Sequence, residues 1–282
     1  MSQPNILWIC ADDFTPYVCG TYGNTEVATP NIDRLATQGM KFTRAYCNSP
    51  LSTPSRQAFW TGRYPHSIGV TRSSTPLPDN EETLPAFLKK SGYHTTHYYA
   101  PRKHEFNLCA DHVEYRAWLA RPHPIPSDIK VLGPWHPFRD PASVWLNSAC
   151  LPYGAIDADM QDTFYATQAQ RFLQNGEHQP FFLYVSFDSN HSPFRFPIEF
   201  RDRYRSKSLP VPRISPQDFE LIPQVFAGLS QNEKQGILAA YYTAIEYMDK
   251  NVGLVLDALE SSPYANNTVV IFNNDHGYII NS

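Results

Sequence analysis

The sequence is short of glycine, with 13 in 282 residues against 25 prolines. That balance predicts long, stiff, irregular connections. It has no basic excess: 23 Lys and Arg face 27 Asp and Glu, for a formal charge of −4. A general nucleic-acid binder normally carries the opposite bias, so no nucleic-acid partner is expected. No apolar run approaches the roughly 20 residues that a bilayer span requires, so no membrane span is expected. Cysteine is sparse and odd in number, at positions 10, 19, 47, 109 and 150. The wide spacing, without a Cys-x-x-Cys or Cys/His finger pattern, argues against a disulfide scaffold or structural zinc. Buried free thiols in a reducing compartment are expected instead. The N-terminus shows neither a basic leader region nor a small-residue cleavage site. A cytoplasmic chain is therefore expected, although one whose leader had been removed would read the same. What is present suffices for a core: 42% of residues are hydrophobic and 14% aromatic, which excludes global disorder.

The run Ile6 to Ala11 is apolar without alternation, as is Phe181 to Phe187. Short continuous runs of this kind suit strands buried on both faces of a parallel sheet. Met40 to Tyr46, His94 to Tyr99 and Thr268 to Phe272 read as further strands. Helices are predicted over Pro30 to Gln38, Pro54 to Thr61, Glu82 to Lys90 and Asp159 to Gln174. The longest is predicted over Gln231 to Glu260, where Ile237, Tyr241, Ala244, Ile245, Met248, Val252, Leu256 and Leu259 form an amphipathic stripe. Strand and helix alternate throughout. The fold class expected is α/β, a doubly wound, mostly parallel sheet flanked by helices, in one domain over residues 1–282. Seven prolines between positions 121 and 152 predict a surface excursion there.

Ligands of open α/β sheets lie beyond the carboxyl ends of the strands. The first strand ends in Asp12-Asp13 and the last runs into Asp275-His276. If the two strands are neighbours, three carboxylates and an imidazole converge. Such carboxylates repel one another unless a divalent cation joins them. An oxygen-rich set favours Ca²⁺, Mg²⁺ or Mn²⁺ over Zn²⁺. Taken singly, each pair reads equally well as an ordinary polar turn. A third element is Ser52-Thr53-Pro54-Ser55-Arg56, where proline preorganises a helix start. Free amides there favour an anion beside residue 52, and Arg56 can fork onto the same anion. The bland alternative is a simple N-cap.

Together these segments resemble the sulfatases of the alkaline-phosphatase superfamily. The likeness runs from Asn5-Ile6-Leu7 and Asp12-Asp13 through Thr29-Pro30-Asn31-Ile32-Asp33-Arg34-Leu35-Ala36 to Ser52-Thr53-Pro54-Ser55-Arg56 with Thr61-Gly62-Arg63. It continues in Gly92-Tyr93-His94-Thr95, Pro180 to Phe187 with His191 and Pro193, Tyr247-Met248-Asp249, and Thr268 to Phe272 with Asp275-His276-Gly277. The resemblance implies a sulfuric ester hydrolase whose nucleophile is a formylglycine. That group is made after translation by a sulfatase-maturing enzyme, here from Ser52, the serine type of signature. It implies one divalent cation, calcium first, held by Asp12, Asp13, Asp275 and His276 with residue 52. Arg56 would hold the formylglycine, and His191 would protonate the leaving group. The substrate implied is a small-molecule or carbohydrate sulfate ester.

Two departures stand beside the likeness. The family's Gly-Lys-x-His pattern reads Pro101-Arg102-Lys103-His104 here. His104 matches the histidine that deprotonates the hemiacetal, and Arg102 falls at the lysine position, with Lys103 a shifted competitor. The sequence also ends soon after His276, so the smaller C-terminal subdomain of the family is expected to be missing. Two competing readings follow: a phosphonate or phosphodiester hydrolase on the same scaffold, and an inactive fragment that at most binds anions.

Overall fold

The computed structural model describes residues 3–98, 105–123, 156–176, 178–211, 215–220, 222 and 224–277. Its centre is a five-stranded sheet: β1 (Asn5–Ala11), β2 (His94–Tyr98), β3 (Leu108–Ala110), β4 (Phe181–Phe187) and β5 (Thr268–Asn274). Their spatial order is β3-β2-β4-β1-β5, and every pairing is parallel. The α/β expectation holds.

The apolar runs are continuous because each central strand serves two cores. Leu7, Ile9 and Ala11 of β1 enter one core with Leu183 and Val185 of β4. Trp8 and Cys10 enter the other with Phe182 and Tyr184. Alternate side chains of a strand point to opposite faces, so a doubly covered strand must be apolar at every position. The first face is covered by α1 (Pro30–Gln38), α5 (Gln161–Asn175) and α6 (Gln231–Glu260). The second carries α2 (Ser52–Thr61) and α3 (Leu84–Lys90), with Trp60 packed 4.7 Å from the Tyr184 ring. A short helix α4 (His112–Leu119) follows β3.

Local signals explain the element ends. Ser230 and Glu233 form a reciprocal capping box at the start of α6, whose observed limits match the sequence reading. Gly62 and Gly176 close α2 and α5 with φ of 67° and 68°. Asp249 of α6 accepts hydrogen bonds from the backbone N–H of Asn31 at 3.1 Å and Ile32 at 2.9 Å. The start of α1 is thus capped by a residue far away in sequence.

Several expectations need correction. Met40 to Tyr46 forms no strand: Met40, Phe42 and Tyr46 are exposed, and the observed neighbour of β5 is β1. Helix α2 begins two residues before Pro54, at Ser52. Helix α3 starts at Leu84, where the Thr83 hydroxyl accepts from Ala86 N–H, and α5 starts at Gln161. Strand β3 and helix α4 were not anticipated. Cys10 and Cys19 are buried free thiols, but Cys47 is exposed. Cys150 and most of the predicted 121–152 excursion lie outside the described residues. Among the described residues no helix is long and apolar enough to cross a membrane.

Candidate active site

Strand β1 lies between β4 and β5, and the three end level: Ala11 is in register with Phe187 on one side and Asn274 on the other. Asp12 N–H continues the ladder to Phe187 O at 3.0 Å, and Asp275 N–H to Ala11 O at 3.2 Å. The two acidic strand ends are therefore neighbours. Asp13 adopts a left-handed conformation with φ 49°, a bend a non-glycine residue rarely makes. Its N–H donates to Asp275 Oδ1 at 3.3 Å, and its carbonyl accepts from Tyr241 OH at 2.9 Å.

Helix α2 delivers Ser52 to this cluster from the opposite face. Ser52 is the first helical residue, and Pro54 sits in the first turn, where a missing N–H costs no helix hydrogen bond. Ser52 Oγ donates to Asp12 Oδ1 at 2.9 Å and lies 2.8 Å from His276 Nε2. The other His276 nitrogen, Nδ1, is 2.9 Å from Asp13 Oδ1. Asp13 thereby orients the imidazole that faces the hydroxyl.

Arg56, one turn further along α2, is buried. Its Nε donates to Asp275 Oδ2 at 2.8 Å, its Nη1 to Ser186 Oγ at 3.2 Å, and its Nη2 lies 3.2 Å from Asp12 Oδ2. The guanidinium bridges the acidic ends of β1 and β5. Asp275 is further held by Ser55 Oγ, which donates to its carbonyl, and by the N–H of His276 at 2.8 Å from its Oδ1.

The electrostatics follow from burial. Removal from water pushes the Asp12 carboxyl up to about 6, against the pull of Arg56. Burial opposes ionisation of Asp275 too, but Arg56 and His276 outweigh it and hold that carboxyl below its ordinary range. Burial would lower His276, yet the bond to Asp13 and the charge of Asp275 raise it to about 9.

Among the described residues, two sets each gather their ligand atoms within 4.8 Å of one another: Asp12, Asp13 and His191, and Asp12, Asp275 and His276. Carboxylate oxygens dominate both, with imidazole and the Ser52 hydroxyl beside them. This donor chemistry fits a divalent cation of the calcium or magnesium type.

The structure thus brings together Asp12, Asp13, Ser52, Arg56, Asp275 and His276. His191, on the loop after β4, joins them with Nε2 3.4 Å from Asp13 Oδ2 and a half-exposed ring. Arg102 and His104 lie outside the described residues, as does Lys103. Sequence reading missed Ser186, Asn190 and Tyr241. Asn190 Nδ2 donates to Asp12 O, tying the His191 loop to the end of β1. Ser186 carried a signal, since it is the single aliphatic hydroxyl in the apolar run Phe181 to Phe187. A buried hydroxyl near a strand's carboxyl end needs a partner, here Arg56.

The chain is 31% identical to a sulfatase of Formosa agariphila, with 99% of this chain aligned to 59% of that protein. It is 28% identical to the Delta 4,5-hexuronate-2-O-sulfatase of Bacteroides thetaiotaomicron, over 98% and 56% of the two. The chain spans little more than half the length of these relatives. In fold it is similar to the phosphonate monoester hydrolase of Agrobacterium radiobacter, with a TM-score of 0.77 at 23% identity, covering 98% of this chain and 63% of that one. The Sulfatase family profile matches residues 4–282. With Ser52, Arg56 and the two acidic strand ends gathered in one crevice, this match over nearly the whole sequence means that the chain belongs to the sulfatase family.

Proposed function

We propose that this chain carries the catalytic centre of a sulfuric ester hydrolase that acts on a carbohydrate sulfate monoester. The observation that carries the reading is the position of Ser52 Oγ, between Asp12 Oδ1 and His276 Nε2 at 2.9 and 2.8 Å, at the first residue of a helix. A side chain so placed is where an anionic ester would meet both a helix N-terminus and a cation site.

Ser52 is read as the precursor of a formylglycine, whose hydrate would supply the hydroxyl that attacks sulfur. Asp12, Asp13, Asp275 and His276 would hold a divalent cation, calcium first. Bound there, it would polarise a sulfate oxygen and favour the ionised form of the attacking hydroxyl. Arg56 fixes the geometry by locking Asp12 and Asp275 to α2. His191 stands at the open side of the cluster and would give a proton to the departing alcohol oxygen. Arg102 and His104 are assigned by resemblance to sulfate neutralisation and to proton removal before sulfate leaves.

The test is a mass measurement on the tryptic peptide Ala45–Arg56 after expression with a serine-type maturing enzyme, paired with turnover of an aryl sulfate and an aryl phosphate. A peptide lighter by two hydrogens, with sulfate turnover abolished by Ser52→Ala, is expected. An unmodified serine peptide with phosphate turnover alone would replace this reading by the phosphonate or phosphodiester hydrolase on the same scaffold. Turnover of neither ester, with the peptide unmodified, would leave the inactive fragment.

A further inference from the structure

Downstream of His191, on the same irregular stretch, Arg201, Arg203 and Arg205 alternate with Asp202 and Tyr204. All five residues line one cavity of about 400 Å³, floored by Ala239 and Thr243 of α6 and walled by Phe196. The volume is in the range of a small-ligand cleft. The acidic groups facing these arginines are few. Asp202 is 3.4 Å from Arg201 Nε, but its side chain is 83% exposed, so solvent screens it. Glu246 is 3.9 Å from Arg203 Nε and already accepts from Tyr204 OH and from Ala28 N–H. No described residue forms an ion pair with Arg205. Among the described residues, three arginines at this cavity thus meet two carboxylates, in a chain whose formal charge is −4.

One guanidinium is also constrained. Arg203 lies 4.8 Å over the Phe200 ring, which holds its plane. Planar forks of this kind match the oxygens of a carboxylate or a sulfate. Ser206 also lines the cavity, and its hydroxyl is a partner a saccharide would use.

We propose that this cavity is a second anion site, distinct from the crevice at Ser52, and that it takes a sulfate or carboxylate group of an acidic saccharide. The choice of saccharide rests on the sulfate-ester reading above; the anion preference rests on the arginines alone.

The 282-residue chain is titrated by calorimetry with a fully sulfated glycosaminoglycan tetrasaccharide and with its desulfated counterpart. The sulfated probe should bind, with affinity falling as salt rises. The double variant Arg203→Ala/Arg205→Ala should lose about tenfold or more in affinity, the scale of one charge-assisted contact. Arg203→Lys/Arg205→Lys should fall between the two, since charge is kept and the fork is lost. Equal binding by wild type and both variants would overturn the proposal, whereas arginine-dependent binding of the desulfated probe would support it through the carboxylates that probe retains. Turnover of a small aryl sulfate, measured on the same proteins, separates the two readings. Turnover that persists while arginine-dependent binding is absent sinks only this site. Arginine-dependent binding in a wild type that turns over no sulfate ester sinks only the hydrolase.

Discussion

Ser52 Oγ and His276 Nε2 stand 2.8 Å apart although 224 positions separate them in the sequence. The contact exists because α2 starts over the end of β5, and Arg56 ties the two elements together. Asp13 on the neighbouring strand holds the far side of the imidazole. The crevice is therefore one cross-linked unit, and its parts should respond together.

Calcium should stabilise the chain. At about 100 times its dissociation constant, a ligand that binds only the native state adds about 2.7 kcal/mol. Thermal melts with calcium and with chelator should differ accordingly, and Asp12→Asn should shrink the difference. A melt indifferent to calcium, magnesium and manganese would remove the metal assignment.

Arg56→Ala should destabilise strongly. It leaves Asp275 and Asp12 buried without their cation, a loss of about 3–5 kcal/mol. Arg56→Lys should recover part of that, because one ammonium cannot reach Asp12, Asp275 and Ser186 as the guanidinium does. Urea denaturation midpoints of the two variants would measure both effects.

Asp249 should give the chain a pH-dependent stability. Burial pushes its carboxyl up to about 6 from 3.8, despite the bonds from Asn31 and Ile32. The folded state then holds this proton more tightly than the unfolded chain does. Its contribution is full below about pH 4 and is lost as pH rises through about 6, by roughly 2–3 kcal/mol. Asp249→Asn should remove that component. The check is the difference between wild-type and variant unfolding free energies at pH 4 and pH 7.

Gly253→Ala should also cost stability. A Cβ at 253 would lie 2.6 Å from Asn31 Cγ and Oδ1. Asn31 cannot swing away without breaking its bonds to Asp249 O and Oδ2 at 3.1 and 2.8 Å. Overpacking of this kind costs about 1–3 kcal/mol, and the loss of α1–α6 docking should appear as faster amide exchange in α1.

Much of the frame was legible in the sequence. Unbroken apolar runs at β1 and β4 implied strands covered on both faces, and the stripe of α6 placed a long helix against them. The carboxylates at the ends of β1 and β5 were legible because ligand sites in such sheets lie there. Met40 to Tyr46 misled because a strand requires a neighbour to pair with, and a local window of sequence does not show one. Strand β3 is only three residues long, too short to show a period.

By itself, the sequence determined the alternation of strand and helix and the set of reactive side chains, since both are written in local period and residue chemistry. Only the tertiary structure decided that β1 would lie between β4 and β5. That order sets Asp12 beside Asp275, Ser186 under Arg56 and Tyr241 beneath Asp13. Strand order arises from long-range packing, and a local window of sequence holds no trace of which distant carboxylate a buried arginine will find.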